Sequence, residues 1–172
     1  MKRILIYIII VTLSSCGESL EKLPKDIEWD KEKSLELNKD LALEQEIAIN
    51  LFLEQHKDWN MIKTGSGLQY VFIEKGTGDF AQVGLTAEVE MVISLLDGTE
   101  CYKTEKDEYQ EFVIDKSDIE TGIQEGIKKM RIGDRVKMII PSHLAHGLVG
   151  DLDKIPPLST IVVDLHLIGL IK

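Results

Sequence analysis

The run Ala87–Leu95, AEVEMVISL, places Ala87, Val89, Met91, Ile93 and Leu95 on one side of an extended strand and Glu88, Glu90, Val92 and Ser94 on the other. Successive side chains of a strand point to opposite faces, so the first set must be buried against other parts of the chain. Asp97-Gly98 follows after Leu96 and supplies the chemistry of a hairpin turn. A chain committed to this strand is therefore expected to build antiparallel neighbours around it.

Three further stretches have the same period. Leu68, Tyr70 and Phe72 alternate with Gln69, Val71 and Ile73, and the GTGD turn at 76–79 follows them. Val136, Met138 and Ile140 alternate until Pro141 stops the strand, and Ile161, Val163, Leu165 and Leu167 alternate against Val162, Asp164, His166 and Ile168. Between them the period changes to that of a helix over about Thr121–Met130, where Ile119, Ile123, Ile127 and Met130 form the stripe. A capping box at its start fits either Thr121 with Gln124 or Ser117 with Glu120, and Gly133 marks its stop. These elements predict an α+β domain over 65–172, an antiparallel sheet of about five strands wrapped on one short helix.

Upstream, Leu41, Leu43, Ile47, Ala48, Leu51 and Phe52 recur at helical steps. An amphipathic helical extension is expected over 38–62, docked on its own domain, with dimerisation as the other use of such a helix. Residues 16–37 are charged and lack an apolar period, which predicts a flexible acidic tether.

The first residues, MKRILIYIIIVTLSSC, combine a basic start with an apolar run from Ile4 to Leu13 that is too short to span a bilayer. Leu13-Ser14-Ser15-Cys16 resembles the lipobox of bacterial lipoproteins, which implies a signal peptide over 1–15 and an acylated Cys16 that anchors the chain to a bilayer. The expected location is the bacterial cell envelope, on the outer membrane and facing the periplasm or the surface. With Cys16 lipidated, Cys101 has no partner for an intramolecular disulfide. Loss of Lys2 and Arg3 with the leader takes the formal net charge from −10 to −12. That excludes nucleic acid as a partner, because phosphate binding needs clustered Lys and Arg.

The PSHLAHG stretch (141–147) puts His143 and His146 close to Asp151 and Asp153. A zinc site would need three or four such groups converging at about 2 Å, and Gly147 and Gly150 break any helix that could hold them. No metal and no cofactor are expected. There is no nucleophile-elbow serine and no glycine-rich phosphate loop. His166 reads as a solvated strand residue, His56 as a favourable charge at a helix end, and Cys101 as a packed thiol.

The second half of the chain resembles the FKBP-type peptidyl-prolyl isomerases. The resemblance is carried, in order, by GLQYVFIEKGTG (67–78), VEMVISLLDGTECY (89–102), GIQEGIKKMRIGDRVKMIIPSHLAHG (122–147) and IPPLSTIVVDLHLIGL (155–170). With the lipobox, the chain looks most like the lipoprotein isomerases associated with gliding motility in Bacteroidetes. The resemblance implies proline-containing polypeptides as substrates and an apolar groove that desolvates the X–Pro amide. It places Ile123 at the pocket floor, Met91 on the wall, Tyr102 beside it and His146 where the family has a tyrosine at the rim; these four are the catalytic candidates. Ile119 and Glu120 would lie over the proline and offer a backbone N–H, while Cys101, Ile155, Val163 and Phe112 would complete the substrate-binding surface, with Tyr109 as the other source of an aromatic. Most of the aromatic lining that the family uses is replaced here by aliphatic residues. An alternative therefore stands beside the isomerase: a binding or assembly module of an envelope complex, weak or inactive as a catalyst. A metal-delivery lipoprotein rests on the His/Asp cluster alone. The sequence sets no oligomeric state.

Overall fold

A computed structural model of the chain describes residues 31–172. The leader, Cys16 and the tether up to residue 30 lie outside the described residues. Residues Asn38–Lys172 form one compact unit. Helix α1 runs over Lys31–Gln55 and so begins ahead of the expected residue 38. Its first turns, KEKSLEL, consist almost wholly of good helix formers, although they lack an apolar period.

Within this compact unit the elements follow as β1 (Ile62–Lys63), β2 (Gln69–Glu74), β3 (Thr86–Leu95), β4 (Glu100–Lys103), β5 (Gln110–Val113), α2 (Thr121–Ile127), β6 (Arg135–Ile140) and β7 (Ile161–Ile171). The strands form one antiparallel sheet in the order β1-β2-β6-β7-β3-β4, with β5 also paired to β3. The alternating run met first in the sequence is β3. It pairs with β7 along its whole length, from Thr86 opposite Ile171 to Leu95 opposite Ile161. The sheet has more strands than the five expected because two-residue β1 and four-residue β5 are too short to show a period.

The inner face of the sheet and α2 enclose the main core. Val89, Met91 and Ile93 from β3, Val136, Met138 and Ile140 from β6, and Val163, Leu165 and Leu167 from β7 meet Ile123, Ile127 and Met130 there. Each fully buried aliphatic side chain of this kind contributes roughly 1.5–3 kcal/mol. Helix α2 lies hard against β6 because two positions on its inner face are glycine. A Cβ at Gly122 would fall 2.3 Å from Ile140 Cγ2, and one at Gly126 would fall 2.2 Å from Met138 Sδ.

Neither expected capping box forms at α2: its N-cap, Glu120, makes no side-chain cap bond. Gln124 is turned instead toward the preceding turn, where it accepts from Asp115 N at 2.9 Å and donates to Ser117 O at 3.3 Å. Ser117 Oγ in turn accepts from Val113 N at 2.8 Å. One side chain from each candidate box thus fixes the β5–α2 turn.

The outer face of the sheet is divided. One half carries Ile139 and Val162, which are buried by Ile49 of α1 together with Phe52, Leu53, Trp59, Met61 and Leu96. The expected docking of this helix is therefore present, but on a different stripe. Leu43, Ile47 and Leu51 stand four residues apart on the opposite side of α1 and remain 58%, 51% and 56% exposed. The other half of the face is charged. Arg135 Nε and Lys137 Nζ each lie 2.7 Å from a different oxygen of Asp164. Burial pushes the Asp164 carboxyl up, but the two cations outweigh it and hold it below the usual range. Among the described residues no helix is long and apolar enough to cross a membrane.

Candidate proline-binding groove

The residues singled out from sequence come from five elements. Met91 lies on β3, Cys101 and Tyr102 on β4, Phe112 on β5, Ile123 on α2 and Val163 on β7, with Ile119–Glu120, His146 and Ile155 in the connecting segments. Met91, Cys101, Phe112, Ile123, Ile155 and Val163 all join the main core, and Tyr102, Ile119 and Ala145 pack against its edge. The structure therefore brings the set together, but it seals the floor. Ile123 and Val163 are 0% exposed, so neither presents surface to a ligand. Phe112, expected to offer an aromatic wall, is a core residue at 4%, whereas Tyr109 is 49% exposed and stands in the adjoining cleft.

Two clefts flank this sealed floor and share Gln110. One, of about 440 Å³, is lined by Met91, Tyr102, Tyr109, Gln110 and Lys154, with charged residues of the 103–108 loop. The other, of about 450 Å³, is lined by Gln110, Asp118, Ile119, Glu120, Thr121 and His146, with Ala145 beside it.

The rim is polar. His146 Nε2 lies 2.9 Å from Glu120 Oε1, and the Glu120 side chain is only 11% exposed. The approach lies off the hydrogen-bonding direction, so this is a close contact rather than an aligned hydrogen bond. His143 points away, with Nε2 2.9 Å from Ser66 O. The two histidines of PSHLAHG thus serve different neighbours and do not converge on one point.

Across the groove Tyr102 Oη donates to Asp151 Oδ2. Asp151 Oδ1 also accepts from Asp153 N at 2.9 Å and Ile155 N at 2.8 Å. Partial burial pushes the Asp151 carboxyl up, but these donors, with His146 nearby, prevail and hold it at about 2. The same bond, helped by burial, pushes the Tyr102 phenol up to about 12. Gly150 lets this loop close: its φ is +69°, and a Cβ there would lie 2.2 Å from Ile155 O. Burial raises the Cys101 thiol, and the charges of Asp151 and Asp97 raise it further, so it is a packed thiol and no nucleophile.

Chemically, the groove offers free main-chain donors at the start of α2, Glu120 N–H among them. Among the described residues no acceptor of the chain takes the N–H of Glu120, whereas its carbonyl accepts from Gln124 N at 3.0 Å. Sequence reasoning missed Asp151 as the partner of Tyr102, because residues 49 positions apart carry no local signal. It also missed Gln110, which stands in both clefts although its strand is too short to be read.

An antiparallel sheet wrapped on a short helix, with a groove between the helix start and the β6–β7 connection, defines the FKBP-like class of domain. The sequence model of the FKBP-type peptidyl-prolyl cis-trans isomerases matches residues 78–168, and the chain belongs to this family. It is 30% identical to the outer membrane protein MIP of Legionella longbeachae over 165 residues, covering 95% of this chain and 69% of that protein. To the FKBP-type isomerase FkpA of Escherichia coli (strain K12) it is 35% identical over 109 residues, which are 62% of this chain but 39% of that protein. The crystal structure of Escherichia coli FkpA superposes with a TM-score of 0.66 at 28% identity, covering 80% of this chain and 63% of that one. The chain thus spans less than two thirds of FkpA in either comparison.

Proposed function

We propose that the chain is a peptidyl-prolyl cis-trans isomerase and folding helper for exported or envelope proteins. The observation that carries this reading is the unpaired N–H of Glu120 beside Ile119 at the mouth of the groove. Rotation about an X–Pro bond meets a barrier of about 20 kcal/mol and takes tens of seconds or longer unaided. No proton need be transferred. In the planar amide the carbonyl is polarised and well hydrated, whereas the twisted transition state has lost conjugation and part of that dipole. A surface that excludes water from the amide disfavours the planar form relative to the twisted one. A fixed N–H holds a substrate carbonyl while the ring turns. Ile119, Tyr102 and Met91 supply the apolar contact, and the Glu120 N–H supplies the donor.

The sealed floor supports a second reading. With Ile123 and Val163 wholly covered, a proline ring has only the rim to contact, which suits a binding or assembly module that turns over slowly. The Leu13-Ser14-Ser15-Cys16 motif supports attachment to an envelope membrane through an acylated Cys16, as in the lipoprotein isomerases associated with gliding motility in Bacteroidetes. The envelope setting is also supported by the Legionella relative, which is named an outer membrane protein.

Exchange NMR on a panel of X-Pro peptides with the mature chain tests the first reading. Catalysed exchange in at least one peptide is expected. Absence of catalysis in every peptide, with unfolded client still bound, sinks the isomerase and leaves the binding module.

A further inference from the structure

Ser142 opens a single 3-10 turn, Ser142–Leu144, that leads from β6 into the groove rim. Its carbonyl accepts from Ala145 N at 3.0 Å and from Gly147 N at 2.8 Å, the two residues that flank His146. The position of Ser142 therefore sets the position of His146. What fixes Ser142 lies 97 residues earlier in the chain. Gln45 of α1 accepts from Ser142 N at 2.9 Å through Oε1 and donates to Ser142 Oγ at 2.7 Å through Nε2. One amide side chain thus satisfies both polar groups of a residue that is 3% exposed. Nothing else in the described chain offers Ser142 N an acceptor.

We propose that Gln45 is a positioning residue for the groove: through Ser142 it holds the Ala145–Gly147 rim, so that helix α1 forms part of the working site. This deepens the isomerase reading and rests on it for the catalytic consequence. Gln45 lies outside the residues matched by the family model, which start at 78. The turn has room to shift when the clamp is lost. A cleft of about 160 Å³ between α1 and the sheet is lined by Gln45, Ile49, Gly67, Gln69, Pro141 and His143, among others. Without Gln45 the Ser142 N–H is buried and unpaired, and the turn moves to bring it to water. His143, held only at its ring by Ser66 O, does not replace the main-chain bond.

The test uses the mature chain with Gln45→Ala, Gln45→Glu and, as a control, Leu51→Ala on the exposed side of α1. In Gln45→Ala the Ala145 and Gly147 amides should exchange with solvent about tenfold faster, while Gly133 N, bonded to Leu167 O of β7 at the other end of β6, keeps its protection. The kcat/KM for an X-Pro peptide should fall on the order of tenfold, as expected when a rim group is misplaced. Gln45→Glu should restore most of both, because its two oxygens can accept from Ser142 N–H and Oγ–H. Leu51→Ala should change neither. Wild-type rates for Ala145 and Gly147 in Gln45→Ala overturn the proposal, as does faster exchange that includes Gly133 equally, which marks general loosening. Altered rim exchange with unchanged kcat/KM also overturns it. If the wild-type chain itself shows no catalysis, the isomerase reading has failed, and the exchange rates still decide whether the clamp holds the rim.

Discussion

Replacing Ile123 by alanine measures how firmly the groove floor is closed. Ile123 sits on α2 between Gly122 and Gln124, wholly buried in the main core. The substitution removes three carbons, worth about 2.4 kcal/mol at ~0.8 kcal/mol each. A residual cavity of about 50 Å³ would add ~1.2 kcal/mol at ~24 cal/mol per Å³. The expected loss is thus about 3.5 kcal/mol, inside the usual range of about 2–5 kcal/mol for such truncations. Urea unfolding should show this as a midpoint lowered by about 1.8 M, taking a slope near 2 kcal/mol/M, with the slope itself unchanged. If Ile123 instead lined an open, wet pocket in solution, the lost side chain would already have been half solvated. A loss below about 1 kcal/mol would therefore refute the sealed floor.

Two further outcomes follow from the same contacts. Asp151 is held at about 2 against its ordinary 3.8, so folding favours its ionised form. That contribution is complete above about pH 4 and is lost as pH falls through 2. Tyr102 is raised to about 12 against 10, so its contribution is complete below pH 10 and is lost as pH rises through 12. The stability difference between wild type and Asp151→Asn should accordingly be flat between these limits and shrink beyond each; a difference constant from pH 2 to 12 would sink the assignment. Gly126→Ala places a Cβ 2.2 Å from Met138 Sδ, and Met138 is itself fully buried. Overpacking of about 1–3 kcal/mol should outweigh the ~1 kcal/mol gain in helix propensity, giving a lower Tm, and a higher one would show that α2 does not lie hard on β6.

The parts of the fold legible in the sequence are those with a period. Strands β3, β6 and β7 and the stripe Ile123, Ile127 and Met130 could each be read because burial imposes a repeat on consecutive residues. Strand β5 is too short for one. Helix α1 was legible as a helix, but its docked face was not. Ile49, Phe52 and Leu53 face the sheet, and the equally apolar Leu43, Ile47 and Leu51 do not; hydropathy alone cannot choose between two such stripes. The groove shows the same division. The resemblance nominates the Ile119-Glu120 pair and His146, but the Glu120–His146, Tyr102–Asp151 and Gln45–Ser142 pairs are long-range meetings of single side chains. Such meetings leave no pattern in the chain.

The aliphatic replacements in the groove bear directly on how it works. Smaller residues at Ile123, Val163 and Cys101 would leave an open pit if the surrounding elements stayed apart, yet all three are buried. Interiors pack to a nearly constant density, so smaller side chains require closer backbones. Gly122 and Gly126 provide that approach between α2 and β6. On the proposed reading, recognition falls to the rim, where Ile119, Glu120, Tyr102 and His146 remain accessible in part. A rim site has no deep pocket to align the substrate, so its geometry depends on what holds the loops. On one side that is the Asp151 bonds to Tyr102, Asp153 and Ile155, and on the other the Gln45 bonds to Ser142. Loss of either support should therefore affect turnover more than it would in a domain whose floor holds the proline. On the proposed reading, the segment before the family domain and the loop after β6 carry the alignment that an aromatic pocket would otherwise provide.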